Sequence, residues 1–149
     1  MKGAELQIRE MDPTECARFL ARNNLGRIAF ARHSVVDIEP ISYVHVDGWL
    51  FGRPSPGTKL DVLGHQPWVA FEADEVKGPF DWESVVVRGT FYVLHKEGSE
   101  VEQATYKRAL AALRRLMPAA LTNEDPAPHR SLLFGIHIDS VTGRAAKSR

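Results

Sequence analysis

The chain has 149 residues, 44% hydrophobic and 26% charged, with nineteen Lys and Arg balancing nineteen Asp and Glu. That length suits one domain, residues 1–149, with its own core, and the even charge balance argues against broad binding to nucleic acid or an acidic membrane. A single cysteine, Cys16, excludes an intrachain disulfide and a multi-cysteine metal site; with no apolar run approaching a membrane span and no signal-peptide core at the N-terminus, a cytoplasmic location is expected.

Residues 1–11 read as a loosely held arm. Asp12-Pro13-Thr14-Glu15 starts a helix, with Asp12 as cap, Pro13 at the first helical position and Glu15 reaching back. Cys16, Phe19 and Leu20 share its apolar face, which makes Cys16 a small buried hydrophobe. Residues 26–31 read as a strand, His33-Ser34 as a turn, and 35–46 as a longer strand. Pro40 inside it implies a sheet edge, a bulge or an interrupted ladder. Asp47-Gly48 signals a hairpin with positive φ at both residues, and 49–53 is the returning strand.

The stretch from Trp49 to Asp61 then combines a strand end with a basic, hydroxyl-rich turn and a helix start. Arg53 and Lys59 bring charge, Ser55 and Thr58 bring hydroxyls, and Gly57 allows close backbone approach. Such a turn can hold a phosphate. It lacks the G-x-x-x-x-G-K-[ST] spacing, and on its own residues it reads better as a Thr58-capped connection with two solvated cations.

A helix of about two turns follows over 58–64. Gln66-Pro67 ends it and 68–71 is the next strand; 74–81 reads as a polar connection. Residues 82–94 are apolar on both faces for much of their length and should form a central strand, with Gly89 marking a bend or a close contact. Ser99 and Glu102 form a capping box for a long helix ended by Pro118. Residues 119–130 read as a loop, 132–138 as a last strand and 142–149 as a basic tail. Hairpins dominate and no βαβ rhythm appears. The expected fold is mainly β with flanking helices, a closed or split antiparallel β-barrel.

The six histidines are scattered and form no H-x-x-x-H or H-E-x-x-H pair, so no metal is expected. There is no G-x-S-x-G elbow, and Ser84 opens a strand with no base spaced to it. Chemistry carried by a bound cofactor fits better than chemistry carried by the chain's own nucleophile.

Four segments occur in order: Leu25-Gly26-Arg27-Ile28-Ala29-Phe30, Glu39-Pro40-Ile41-Ser42-Tyr43-Val44, Gly57-Thr58-Lys59-Leu60-Asp61-Val62-Leu63 and Trp82-Glu83-Ser84-Val85-Val86-Val87-Arg88-Gly89. Together they resemble the pyridoxamine 5′-phosphate oxidase-like family of FMN-binding split barrels, in its nitroimidazole-reductase-like branch. The resemblance spans roughly residues 12–95, and Ile136-x-Ile138 with Thr142-Gly143-Arg144 also suits it. It implies a six-stranded antiparallel split barrel and a homodimer with cofactor at the subunit interface. It further implies an oxidoreductase that uses FMN, with NAD(P)H or another reductant, to reduce a small organic acceptor. Pro40, Ile41 and Ser42 would run beside the flavin ring, largely through backbone. Arg53, Ser55, Thr58 and Lys59 would hold the phosphate, and Trp82, Ser84 and Val85 would close the ring site, from the same or the partner subunit. The family's Arg/His substrate signature is missing, which argues against pyridoxamine phosphate oxidation. The proline-rich turn Arg53-Pro54-Ser55-Pro56 stands where relatives commonly place a histidine and small residues. A deazaflavin coenzyme, haem, and a non-catalytic flavin- or haem-binding module are the alternatives.

Overall fold

The computed structural model describes residues 5–54, 58, 60–126 and 132–148. In chain order these form β1 (Leu6–Met11), α1 (Pro13–Arg22), β2 (Leu25–Arg32), β3 (Val35–Ser42), β4 (Val44–Val46) and β5 (Trp49–Gly52). There follow α2 (Leu60–His65), β6 (Trp68–Gly78), β7 (Asp81–Leu94), α3 (Glu100–Leu116) and β8 (Leu133–Ser148). The strands form one sheet in the order β3-β2-β6-β7-β8-β5-β4, with β1 added along β8. Every pairing is antiparallel. The two ends of this path, β3 and β4, are consecutive in the chain and separated only by Tyr43. The sheet therefore rolls round until its edges meet at Tyr43, which is the split of the expected barrel, built from eight strands rather than six.

Each departure from the sequence reading has a local cause. The supposed arm is β1, paired with β8 from Leu6↔Ser148 to Met11↔Gly143, and the supposed basic tail is the second half of β8. That half runs between β7 on one side and β1 on the other, so its exposed charges sit on a well-paired strand. The polar segment from residue 74 continues β6 to Gly78, because its charges stay at least partly exposed and Asp74 and Glu75 are paired: Arg22 with Glu75 at 2.8 Å and Arg27 with Asp74 at 3.8 Å. The strand expected over 35–46 breaks at Tyr43, whose hydroxyl donates to the Leu20 carbonyl of α1 at 2.9 Å. At the hairpin after β4, Gly48 has φ +78°, whereas Asp47 is not among the described residues with positive φ.

Other expectations hold. Asp12 and Glu15 form the reciprocal capping box, with Pro13 starting the helix. Ser99 caps α3 through the Glu102 N–H, but the Glu102 carboxylate meets the Ser99 hydroxyl, so the expected box is only half formed. Pro40 lies on β3, the edge strand, where a missing N–H breaks no ladder bond. β7 is central, between β6 and β8, and Gly89 sits at its bulge. Inside the barrel, Cys16, Phe19 and Leu20 of α1 join Ile28, Tyr43, Phe71, Val85 and Val87 in one core. α3 covers a second core with Val44, Phe51, Leu94 and Leu133. No helix among the described residues is long and apolar enough to cross a membrane.

Candidate functional site

The site begins where β5 ends. A Cβ on Gly52 would meet the Ser42 carbonyl oxygen at 2.6 Å and the Phe134 ring at 2.7 Å. Glycine is needed there because β5 passes hard against the end of β3. The next residue, Arg53, therefore starts its turn beside Ser42, and two segments that the sequence reading placed in one site do come together.

Arg53 does not reach into open solvent. Its Nη1 donates to Asp125 Oδ1 at 3.1 Å and its Nη2 pairs with Oδ2. The Asp125 side chain is wholly buried and that of Arg53 only 12% exposed. The same carboxylate accepts the Leu121 N–H at 2.6 Å. Both terminal nitrogens of Arg53 are thus engaged, while its Nε is buried without a hydrogen-bond partner among the described residues. Thr58 enters α2 with its carbonyl accepting the Leu60 N–H at 3.0 Å. Ser55 and Lys59 lie outside the described residues. Asp125 also anchors residues 121–125, part of the expected 119–130 loop, at the end of β5.

From Ser42 the site continues across the outer face of the sheet. Strand register places Pro40 opposite Arg27, Arg27 opposite Glu72, Glu72 opposite Val86 and Val86 opposite Thr142. The adjacent positions put Ser84 between Asp74 and Arg144, and Trp82 between Val76 and Ala146. Pro40, Ser42, Trp82 and Ser84 accordingly share the outward face. Ile41 and Val85 do not: both side chains are buried in the barrel core, so either can offer an external ligand only its backbone. Trp82, Ser84, Arg88 and Arg144 line an open-sided cavity of about 300 Å³ on this face.

The face is electrostatically organised. Ser84 Oγ donates to Glu72 Oε2 at 3.1 Å. Arg27 Nη1 lies 3.5 Å from Glu72 and 3.8 Å from Asp74. Burial, reinforced by Asp74, pushes the Glu72 carboxyl above its ordinary value, against the opposing pull of Ser84 and Arg27. Such a surface combines an aromatic plane, apolar strand positions, hydroxyl and cationic donors, and a carboxyl that holds its proton longer than usual. It can bind a flat, partly polar ring with an anionic tail reaching toward β5.

Sequence reasoning missed Arg27, Glu72, Asp74 and Asp125. Period-two alternation of charge over 72–74 would have placed Glu72 and Asp74 on one face had β6 been read to its full length, whereas Arg27 joins them only through the β2–β6 register. Asp125 gives no local signal.

A family model described as pyridoxamine 5′-phosphate oxidase matches residues 12–145. The chain belongs to this family. An uncharacterized protein of Mycobacterium tuberculosis is 35% identical over 112 residues, 70% of each chain. Among solved structures, an FAD-binding protein of Mesorhizobium loti superposes with a TM-score of 0.74 at 24% identity, covering 96% of this chain and 99% of that one. A Bacteroides thetaiotaomicron protein assigned to 5-nitroimidazole antibiotic resistance superposes with a TM-score of 0.67 at 14% identity, covering 98% and 93%. The pyridoxamine 5′-phosphate oxidase family match takes in all four segments of the resemblance.

Proposed function

We propose that the chain is an FMN-dependent oxidoreductase that acts as a homodimer. It accepts reducing equivalents from a nicotinamide donor or another reductant and passes them to a small organic acceptor such as a nitro-aromatic or a quinone. One observation carries the reading: Gly52 packs against the Ser42 carbonyl, so the Arg53 turn starts beside the outward-facing Ser42 and Pro40 of β3. The similar FAD-binding protein of Mesorhizobium loti supports a flavin, and the turn after β5 supports a flavin that carries a phosphate.

In this reading Arg53, Ser55, Thr58 and Lys59 hold the phosphate, and the buried Nε of Arg53, with no partner among the described residues, fits an anionic oxygen. Pro40 and Ser42, with the backbone of Ile41, flank the ring. Trp82 and Ser84, with the backbone of Val85, close it. Three inter-strand steps separate β3 from β7, about 14 Å at ~4.8 Å each, so the partner's copy of β7 is the better source of the closing residues. The exposed apolar face of β3, with Val36 73% and Ile38 68% exposed beside Pro40, supports burial against a second subunit. When bound, the flavin supplies hydride and electron transfer; the chain binds it, orients it and keeps water from it. A cytoplasmic location accords with the buried free thiol of Cys16.

The test is an absorption spectrum of the purified protein before and after FMN is added and the unbound excess removed. Flavin bands retained at about one per subunit, and bleached by a nicotinamide donor, support the reading. No retained flavin overturns it and moves the question to deazaflavin and haem titrations. Retained flavin that no donor reduces leaves a binding module without turnover. Lys59→Ala should lose FMN, and unchanged affinity would remove Lys59 from the site.

A further inference from the structure

We propose that Asp125 is a positioning residue for the phosphate site: it holds the Arg53 guanidinium by its terminal edge and leaves the Nε edge to receive an anionic oxygen. The inference rests on the phosphate reading of the turn after β5.

A guanidinium offers five N–H donors in a rigid plane, and its edges can be occupied separately. Asp125 takes the terminal edge through both carboxylate oxygens. The side edge, at Nε, is buried and meets no acceptor among the described residues. A buried donor without an acceptor is disfavoured, so the arrangement is incomplete until something supplies an oxygen there. Arg53 follows Gly52, which touches the Ser42 carbonyl, so the open donor lies where the turn leaves the sheet.

Asp125 is itself fixed without help from Arg53. Its carboxylate accepts the Leu121 N–H at 2.6 Å, and its backbone N–H donates to the Thr122 carbonyl at 3.1 Å. Leu121 adopts φ +56°, a conformation rarely taken by a branched side chain, which marks the segment as held in place. The neighbouring Ala120 carbonyl accepts Arg114 Nε at 2.9 Å, and Ala120 is fully buried in the α3 core with Phe51. Residues 120–125 are therefore a rigid bracket. A long side chain that would otherwise lose rotamer freedom on binding is already frozen, which is the physical content of preorganisation. Because Asp125 offsets the charge of Arg53, recognition depends on donor geometry more than on net charge.

The experiment measures dissociation constants of full-length protein for FMN and for riboflavin, which lacks the phosphate, in the wild type, Asp125→Asn and Arg53→Lys. Asp125→Asn keeps the shape but turns an amide N–H toward the guanidinium and releases it. FMN affinity should fall about tenfold or more, as for one charge-assisted hydrogen bond, while riboflavin affinity stays put. Arg53→Lys keeps the charge but has no Nε–H fork and should give the same pattern; it carries the test if Asp125→Asn fails to fold. Unchanged or tighter FMN binding in Asp125→Asn, or equal losses for both ligands, would overturn the proposal. A wild type that binds FMN no better than riboflavin removes the phosphate reading itself, and this inference with it.

Discussion

Asp125 stands 72 residues beyond Arg53 in the chain, yet the two side chains form a bidentate pair in the interior between β5 and the segment after α3. A buried pair of this kind contributes little over an apolar replacement, but losing one partner strands the other charge. In apo protein, Asp125→Ala should cost about 3 kcal/mol, the usual scale for breaking a buried pair. The double variant Arg53→Met/Asp125→Leu should recover most of that. Urea denaturation of the wild type and these two variants checks it, and a loss in Asp125→Ala within the noise of a surface substitution would show that the pair is not buried in solution.

Gly89 sits at the register shift of β7, where an added Cβ would lie 2.3 Å from the His137 carbonyl oxygen and 2.9 Å from Ile136 Cγ2. Neither backbone nor core can yield easily, so Gly89→Ala should destabilise by roughly 1–3 kcal/mol, the range for overpacking. At Gly78 nothing lies within 4 Å of the same Cβ, and Gly78→Ala should be close to neutral. Thermal melts of the two variants side by side check the tightness of the bulge.

Arg9 of β1 donates to both Glu15 oxygens in α1, at 2.9 and 2.7 Å. The Arg9 bond, aided by the Asp12 N–H, holds the Glu15 carboxyl down to about 2, below its ordinary 4.5. A depressed acid binds protons more readily in the unfolded chain, so its stabilisation is present above the ordinary value and is lost as pH falls toward about 2. Glu15→Gln should therefore flatten the acid limb of the stability curve within that window and leave the remainder of its slope unchanged. The effect is modest because both groups are solvent-screened. A wild-type limb already flat there would mean that β1 is not docked on α1 in solution.

Features carried by neighbouring residues were legible in the chain. The Asp12–Glu15 box, the apolar face of α1, the central β7 and the edge proline all follow from local pattern, and four short motifs carried the family. What was not legible depends on pairing across the sheet. β1 and the last part of β8 look like polar termini because each supplies the other's hydrogen-bond partners. Ile41 and Val85 stand in site motifs, but strand alternation turns their side chains inward, between outward-facing Pro40, Ser42 and Ser84. Arg53 reads as a free cation because Asp125 is remote in sequence.

Glu72 lies on the outer face of β6 between Arg27 and Ser84. Its carboxyl is raised by burial and by Asp74, so the folded protein holds that proton more tightly than the unfolded chain does. The sign is opposite to that of Glu15: Glu72 favours folding when protonated, and its contribution declines as pH climbs through the ordinary carboxylate value toward the raised one. Glu72→Gln removes the ionisation but keeps an oxygen to accept Ser84 Oγ, and Asp74 remains within 3.8 Å of Arg27. The variant should be more stable than the wild type at neutral pH and indistinguishable from it in acid. Chemical denaturation at several pH values checks this. If Glu72→Gln proved less stable at neutral pH, the pairing of ionised Glu72 with Arg27 would outweigh its desolvation, and the carboxyl would not hold a proton beside a bound ring.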